Sequence, residues 1–147
     1  MTTAAIHEQT RATEREIAAL LVEAYTTLNE IRKALPLFAN GDGDPEDERY
    51  VALVQSAGES LAPTLARASR LYEESQGIEA DLGTSFPYEL PRFIHLLEDT
   101  FVLFWSVRTL DDLKGLARWL PAVEDERAAL DPAVTVWIKE RGGSLAV

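Results

Sequence analysis

The chain has 147 residues, 14 basic and 25 acidic, for a formal charge of −11. So acidic a surface repels phosphate backbones, and no nucleic-acid partner is expected. Cysteine is absent, which rules out disulfides, thiolate metal ligands and a cysteine nucleophile.

The opening residues, "MTTAAIHEQTRATERE", lack a basic stretch followed by an apolar core, so no cleaved leader is expected. The longest unbroken apolar run is "FVLFW", Phe101 to Trp105, far short of a membrane span. A cytoplasmic protein forming a single helical domain over residues 1–147 is the expectation.

The first element is a long amphipathic helix over about residues 5–36. Ile17, Leu21, Ala24, Leu28, Ile31 and Leu35 alternate steps of four and three along one seam, and Pro36 limits its end. Thr10 and Thr13 extend that seam toward Ile6 with polar residues.

The acidic stretch "NGDGDPEDE", Asn40 to Glu48, comes next. Its alternating acids and glycines echo the start of a calcium loop. That loop needs glycine at its sixth position and glutamate at its twelfth. Counted from Asp42 these are Asp47 and Leu53, and from Asn40 they are Pro45 and Val51. The stretch therefore reads as a charged turn with Asp44 as N-cap and Pro45 at the first helical position. No metal is expected.

A second helix of similar length follows over residues 46–76. Tyr50, Val54, Ala57, Leu61, Leu65, Ala68 and Tyr72 mark its apolar face, and Pro63 either kinks it or begins another helix. Each long segment would span about 45 Å, and the two predict an antiparallel hairpin. Residues 77–91, with two glycines and two prolines, predict an irregular linker.

"RFIHLLEDTFVLFWSV", Arg92 to Val107, is apolar around most of its circumference and predicts a central helix. In "TLDDLKGLARWL", Thr109 suits an N-cap, with Asp111 and Asp112 in the first turn. Pro121 then suggests a short acidic helix to Leu130. Asp131, Pro132 and Gly142 punctuate a last one. The fold class is thus all-α: a bundle built on the hairpin, with the central helix and two or three shorter C-terminal helices over residues 92–141.

The candidate site lies on the central helix. Arg92, His95, Asp99 and Ser106 share one face at helical spacing, with Glu98 beside it. Carboxylates three and four residues beyond His95 could orient its ring. Buried, this row could move a proton or bind an anion, with Phe86, Tyr88 and Phe93 walling the mouth. Facing solvent, it is a row of ordinary ion pairs; satisfied inside the core, it fixes helix register.

Known helical chemistries fit less well. A ferritin-like di-iron centre needs Glu-x-x-His on two helices, whereas this chain has one His95–Glu98 pair in the reverse order. The paired acidic motifs of helical nucleotide pyrophosphohydrolases and the Arg–His spacing of helical ribonucleases are missing. So are the P-loop, G-x-G-x-x-G, G-x-S-x-G and H-E-x-x-H patterns. No cofactor is expected. "TLDDLKGLARWL" and "LDPAVTVWIKERGG" resemble the two helices of a helix-turn-helix. Pro121 to Leu130 separates them, where that motif has a turn of three or four residues.

Phe101, Phe104, Trp105, Trp119 and Trp137 fall on or near apolar helix faces, as core or interface residues or as the lining of a ligand cavity. The hairpin is longer than a chain of this size needs for its own core. The favoured function is therefore a non-enzymatic interaction or regulatory protein, self-associating as a homo-oligomer or binding another protein, plausibly a basic one. The alternative is a small-ligand sensor or helical enzyme using Arg92, His95, Glu98 and Asp99 beneath Phe86 and Tyr88. A third reading, an acidic mimic of nucleic acid, requires acids clustered on one face.

Overall fold

The computed structural model describes residues 3–34, 47–82 and 86–143. They form four helices: α1 (Thr3–Ala34), α2 (Asp47–Leu82), α3 (Glu89–Ser106) and α4 (Leu110–Glu140). There is no strand among the described residues, and no helix there is long and apolar enough to cross a membrane. The turn between α1 and α2, with Asp44 and the acidic run before it, lies outside the described residues.

The apolar seam of α1 is its core face: Ile17, Leu21, Ala24, Leu28 and Ile31 are buried. Thr10 and Glu14, at the polar beginning of that seam, are buried as well. In α2, Val54, Leu61, Leu65 and Ala68 are buried, while Tyr50, Ala57 and Tyr72 pack at the edge. Pro63 begins no new helix; α2 runs through it. Its ring is exposed, so the carbonyl one turn back that loses its N–H partner lies on the side open to water.

Side-chain pairs fix the helix directions. Between α1 and α4, residue numbers rise on one side as they fall on the other: Glu14 meets Arg141, Tyr25 meets Asp131, and Arg32 meets Glu124. The same opposition joins α2 to α3, through Tyr72 with Phe86 and Gly58 with Phe101 and Trp105. It also joins α3 to α4, through Phe86 with Trp137 and Arg92 with Glu126. Neighbours therefore alternate in direction, and α1 opposes α2, against which it packs with an exposed Arg67–Glu16 bridge. Exposed bridges of this kind contribute little; the core at their back holds the pair.

Gly58 is where α2 and α3 come closest. A Cβ there would fall 2.2 Å from the Trp105 amide nitrogen and 2.6 Å from the Phe101 carbonyl oxygen. Only a residue without a side chain lets two backbones meet at that distance.

α3 is the central helix, burying Leu90, Phe93, Ile94, Leu97, Phe101 and Phe104 between α2 and α4. Its bounds differ from the expected ones, because α2 continues to Leu82 and α3 begins at Glu89. The expected linker over 77–91 is irregular, among described residues, only at 86–88. Pro91 falls in the first turn of α3, where a helix needs no N–H. At the other end the Arg108 guanidinium folds back onto the carbonyls of Trp105 and Val107 and neutralises the negative helix end.

α4 corrects a second expectation. Residues 110–140 form one helix with Pro121 and Pro132 inside it, in place of breaks at Pro121 and Asp131. Both prolines are exposed. The missing backbone bonds cost about 3 kcal/mol each in an isolated helix. Here they are offset by burial on either side, of Leu113, Leu116 and Leu120 before and Leu130, Val134, Trp137 and Ile138 after. Gly142, at φ +84°, closes the helix as expected, with its N–H donating to the Lys139 carbonyl.

The start of α4 carries the anticipated cap in full. Thr109 Oγ1 accepts from the Asp112 N–H at 3.1 Å, and Asp112 Oδ2 accepts from the N–H groups of Arg108 and Thr109. Those donors, the Arg108 N–H first, hold the Asp112 pKa below its ordinary 3.8. A depressed carboxylate stabilises the fold above its unfolded pKa, and that contribution is lost as pH falls through the folded value. Wild type should therefore be more stable than Asp112→Asn near neutral pH, and the gap should narrow in acid below the ordinary carboxylate range. Thermal melts of both proteins at neutral and acid pH check this. Thr109→Ala should cost about 1 kcal/mol by loss of the cap.

Candidate functional site

The row expected on α3 can now be located. Arg92, His95 and Asp99 are exposed along one outward face, and Ser106 continues it. Arg92 pairs with Glu126 of α4 at 3.3 Å, in water. Glu98 is half-buried, with Oε2 shielded from solvent and without a hydrogen-bond partner. The three aromatic residues go elsewhere, Phe93 into the core. Phe86 packs between Tyr72 and Trp137, at ring distances of 5.1 and 5.6 Å, and Tyr88 projects into solvent. The structure thus brings Arg92, His95 and Asp99 onto one face without setting Phe86 and Tyr88 over them.

The charged cluster that the core does enclose is a different one. Arg127, in the middle of α4, is 3% exposed. Its Nη1 donates to the Tyr25 hydroxyl at 2.7 Å and to Asp131 Oδ2 at 2.5 Å, and its Nη2 donates to Glu124 Oε2 at 2.5 Å. Tyr25 in turn donates to Asp131 at 3.3 Å. Arg32 of α1 reaches Glu124 at 2.9 Å and Asn29 at 2.8 Å. The Arg127 guanidinium also lies 4.9 Å from the centre of the Tyr25 ring, whose other neighbour is Phe93 of α3, a cation–π contact within the core.

Burial alone would lower the Arg127 pKa, but hydrogen bonds and attraction from Glu124, Asp131 and Tyr25 raise it above the usual arginine value. Burial raises the Tyr25 pKa, against the pull of Arg127. Both shifts point away from neutral pH, so Arg127 stays charged and Tyr25 stays protonated there. That makes it a fastener between α1 and α4, unsuited to moving protons. It offers no metal site either: no group of three or more histidines or acids able to hold a metal occurs among the described residues.

Arg127 was not among the residues singled out from the sequence, although it lies in the stretch expected as a short acidic helix. The spacing of Glu124, Arg127 and Asp131, three and four apart, was a signal for ion pairing. That Tyr25 and Arg32 would complete the cluster depends on a contact about a hundred residues away in sequence.

A third arrangement is on the surface, where the end of α3 meets the beginning of α4. The outward arc of the last turns of α3 is apolar: Val102 is 51% exposed, Leu103 39% and Trp105 41%. Beside it opens a cleft of about 360 Å³ whose walls include Leu103, Val107, Leu116 and Trp119, with Asp111 and Asp112 at the rim. Trp119 is itself 38% exposed. Among the described residues, aspartates are the only charged ones lining this cleft. Trp105 and Trp119, expected as core, interface or cavity-lining residues, are both half-exposed, and Trp119 lines this cleft.

No protein-family model, curated protein or solved structure matches the chain.

Proposed function

We propose that this is a non-enzymatic interaction protein that receives an amphipathic helix of another protein in the α3–α4 cleft. The observation that carries the reading is the exposed Leu103 and Trp119 lining an open cleft, with Val102 and Trp105 also exposed on the last turns of α3. Exposed indoles beside an apolar cleft are typical anchors of binding energy. The occupant follows from charge. Asp111 and Asp112 rim the cleft in a chain of net charge −11, so an apolar face flanked by lysine or arginine is complementary and is steered toward it. A second copy would bring another −11 to the same surface, which opposes self-association at low salt.

The test uses two synthetic amphipathic helices with the same leucine face, one bearing lysines on its other face and the other glutamates. The lysine helix should shift the tryptophan emission of the full chain to the blue in a saturable way. Its affinity should fall at least tenfold, a loss of about 1.4 kcal/mol, in Leu103→Glu at unchanged melting temperature. Equal response to both helices, or no loss in the variant, refutes the reading. Sedimentation showing a dimer that Leu103→Glu dissociates would give the cleft to a second copy instead.

A further inference from the structure

A cleft at the far end of α4 carries a separate inference, independent of the docking reading. It has a volume of about 380 Å³ and lies between α1 and the end of α4, lined by Arg11, Glu14, Arg15, Glu140 and Arg141. In a chain with a large excess of acid, this is a place where guanidiniums outnumber carboxylates.

The five side chains are not equivalent. Arg141 is committed: its Nε faces Glu14 at 3.4 Å, its Nη1 donates to the Trp137 carbonyl at 2.9 Å, and its guanidinium lies 4.2 Å from the centre of the Trp137 ring. Glu14 is buried against it, and Glu140 stands 3.6 Å from the same guanidinium. The wall is therefore fixed and its carboxylates are engaged.

Arg11 and Arg15 are left. They lie one turn apart on α1, both exposed and lining the cleft, and neither forms an ion pair with a described residue. Like charges at this spacing repel, and the next acid on the same helix face, Glu14, is already taken by Arg141. Two exposed guanidiniums lining one cleft offer the paired donors that hold phosphate or carboxylate groups.

We infer that this cleft binds a small polyvalent oxyanion, gripped by Arg11 and Arg15. The probes are pyrophosphate and citrate, titrated into the full chain with ionic strength held constant by sodium chloride. At least one should raise the melting temperature along a saturating curve, and the one that acts at lower concentration tells whether phosphate or carboxylate chemistry is preferred. In Arg11→Gln/Arg15→Gln, which alters only exposed side chains, half-saturation should move at least tenfold higher. No rise with either anion overturns the inference. So does a rise that is linear in concentration, or one that the double variant shares.

Discussion

Arg127→Ala should destabilise the protein by about 3–5 kcal/mol, the loss typical when one partner of a buried ion pair is removed. The guanidinium is nearly sealed from solvent and answers two carboxylates and a phenol. Without it Glu124 and Asp131, about two turns apart on α4, have only Arg32 and Tyr25 to engage them. The triple variant Arg127→Met, Glu124→Gln, Asp131→Asn should recover most of the loss, because it removes the charges together. Urea denaturation of wild type and both variants gives the comparison. A cost below about 1 kcal/mol for Arg127→Ala, the range of an exposed pair, would mean that water reaches the cluster and that α1 and α4 are not joined as described.

The second large effect has an inverted sign. Alanine is favoured over glycine inside a helix by about 1 kcal/mol, so Gly→Ala in α2 or α4 should stabilise if nothing else intervenes. Gly115, exposed in α4, has no atom within 4 Å of a new Cβ, and Gly115→Ala should follow that rule. Gly58→Ala should do the opposite and destabilise by about 1–3 kcal/mol. Its Cβ would overlap backbone atoms of Trp105 and Phe101, which have no rotamer to change, so α2 and α3 must move apart. Thermal melts of the two single variants decide the matter. If both are stabilised, the close crossing of α2 over α3 is wrong.

What the sequence reveals about this fold depends on how local the cause is. The buried stripes of α1 and α2 were readable because their spacing expresses the helix period itself, from Ile17 to Ile31 and from Val54 to Ala68. The Thr109 cap was readable because donors and acceptors lie within four residues. Pro121 and Pro132 were read as the starts of new helices, since a proline ends a helix unless burial on both sides outweighs the lost bond, and burial is a property of the assembled bundle. Gly58 gave no sign at all; only the backbone of α3 passing over it reveals why a side chain is missing.

The candidate sites divide in the same way. Arg92, His95 and Asp99 were legible as a row, but the direction in which the row faces is decided by where α2 and α4 cover α3. The Arg127 cluster was half legible, as pairs within α4, and its other half comes from α1. Trp119 could be placed on a helix face, yet its exposure depends on the gap that opens between α3 and α4.

The pairs along α1 and α4 also act on misassembled forms of the chain. Apolar stripes tolerate sliding, because leucine against leucine is nearly as good one turn along. The charged rungs do not. A slip of one turn sets Arg32 opposite Leu120 or Ala128, according to direction, instead of Glu124, and parts Tyr25 from Asp131. Arg127 would then keep Glu124 and Asp131 on its own helix but lose its phenol partner. Such slipped forms keep the desolvation cost of the buried charge and lose part of its compensation. They are therefore raised in energy relative to the native alignment by more than any leucine contact could achieve. A cluster that adds little net stability thus empties the neighbouring minima of the folding landscape, and leaves one alignment of the bundle populated.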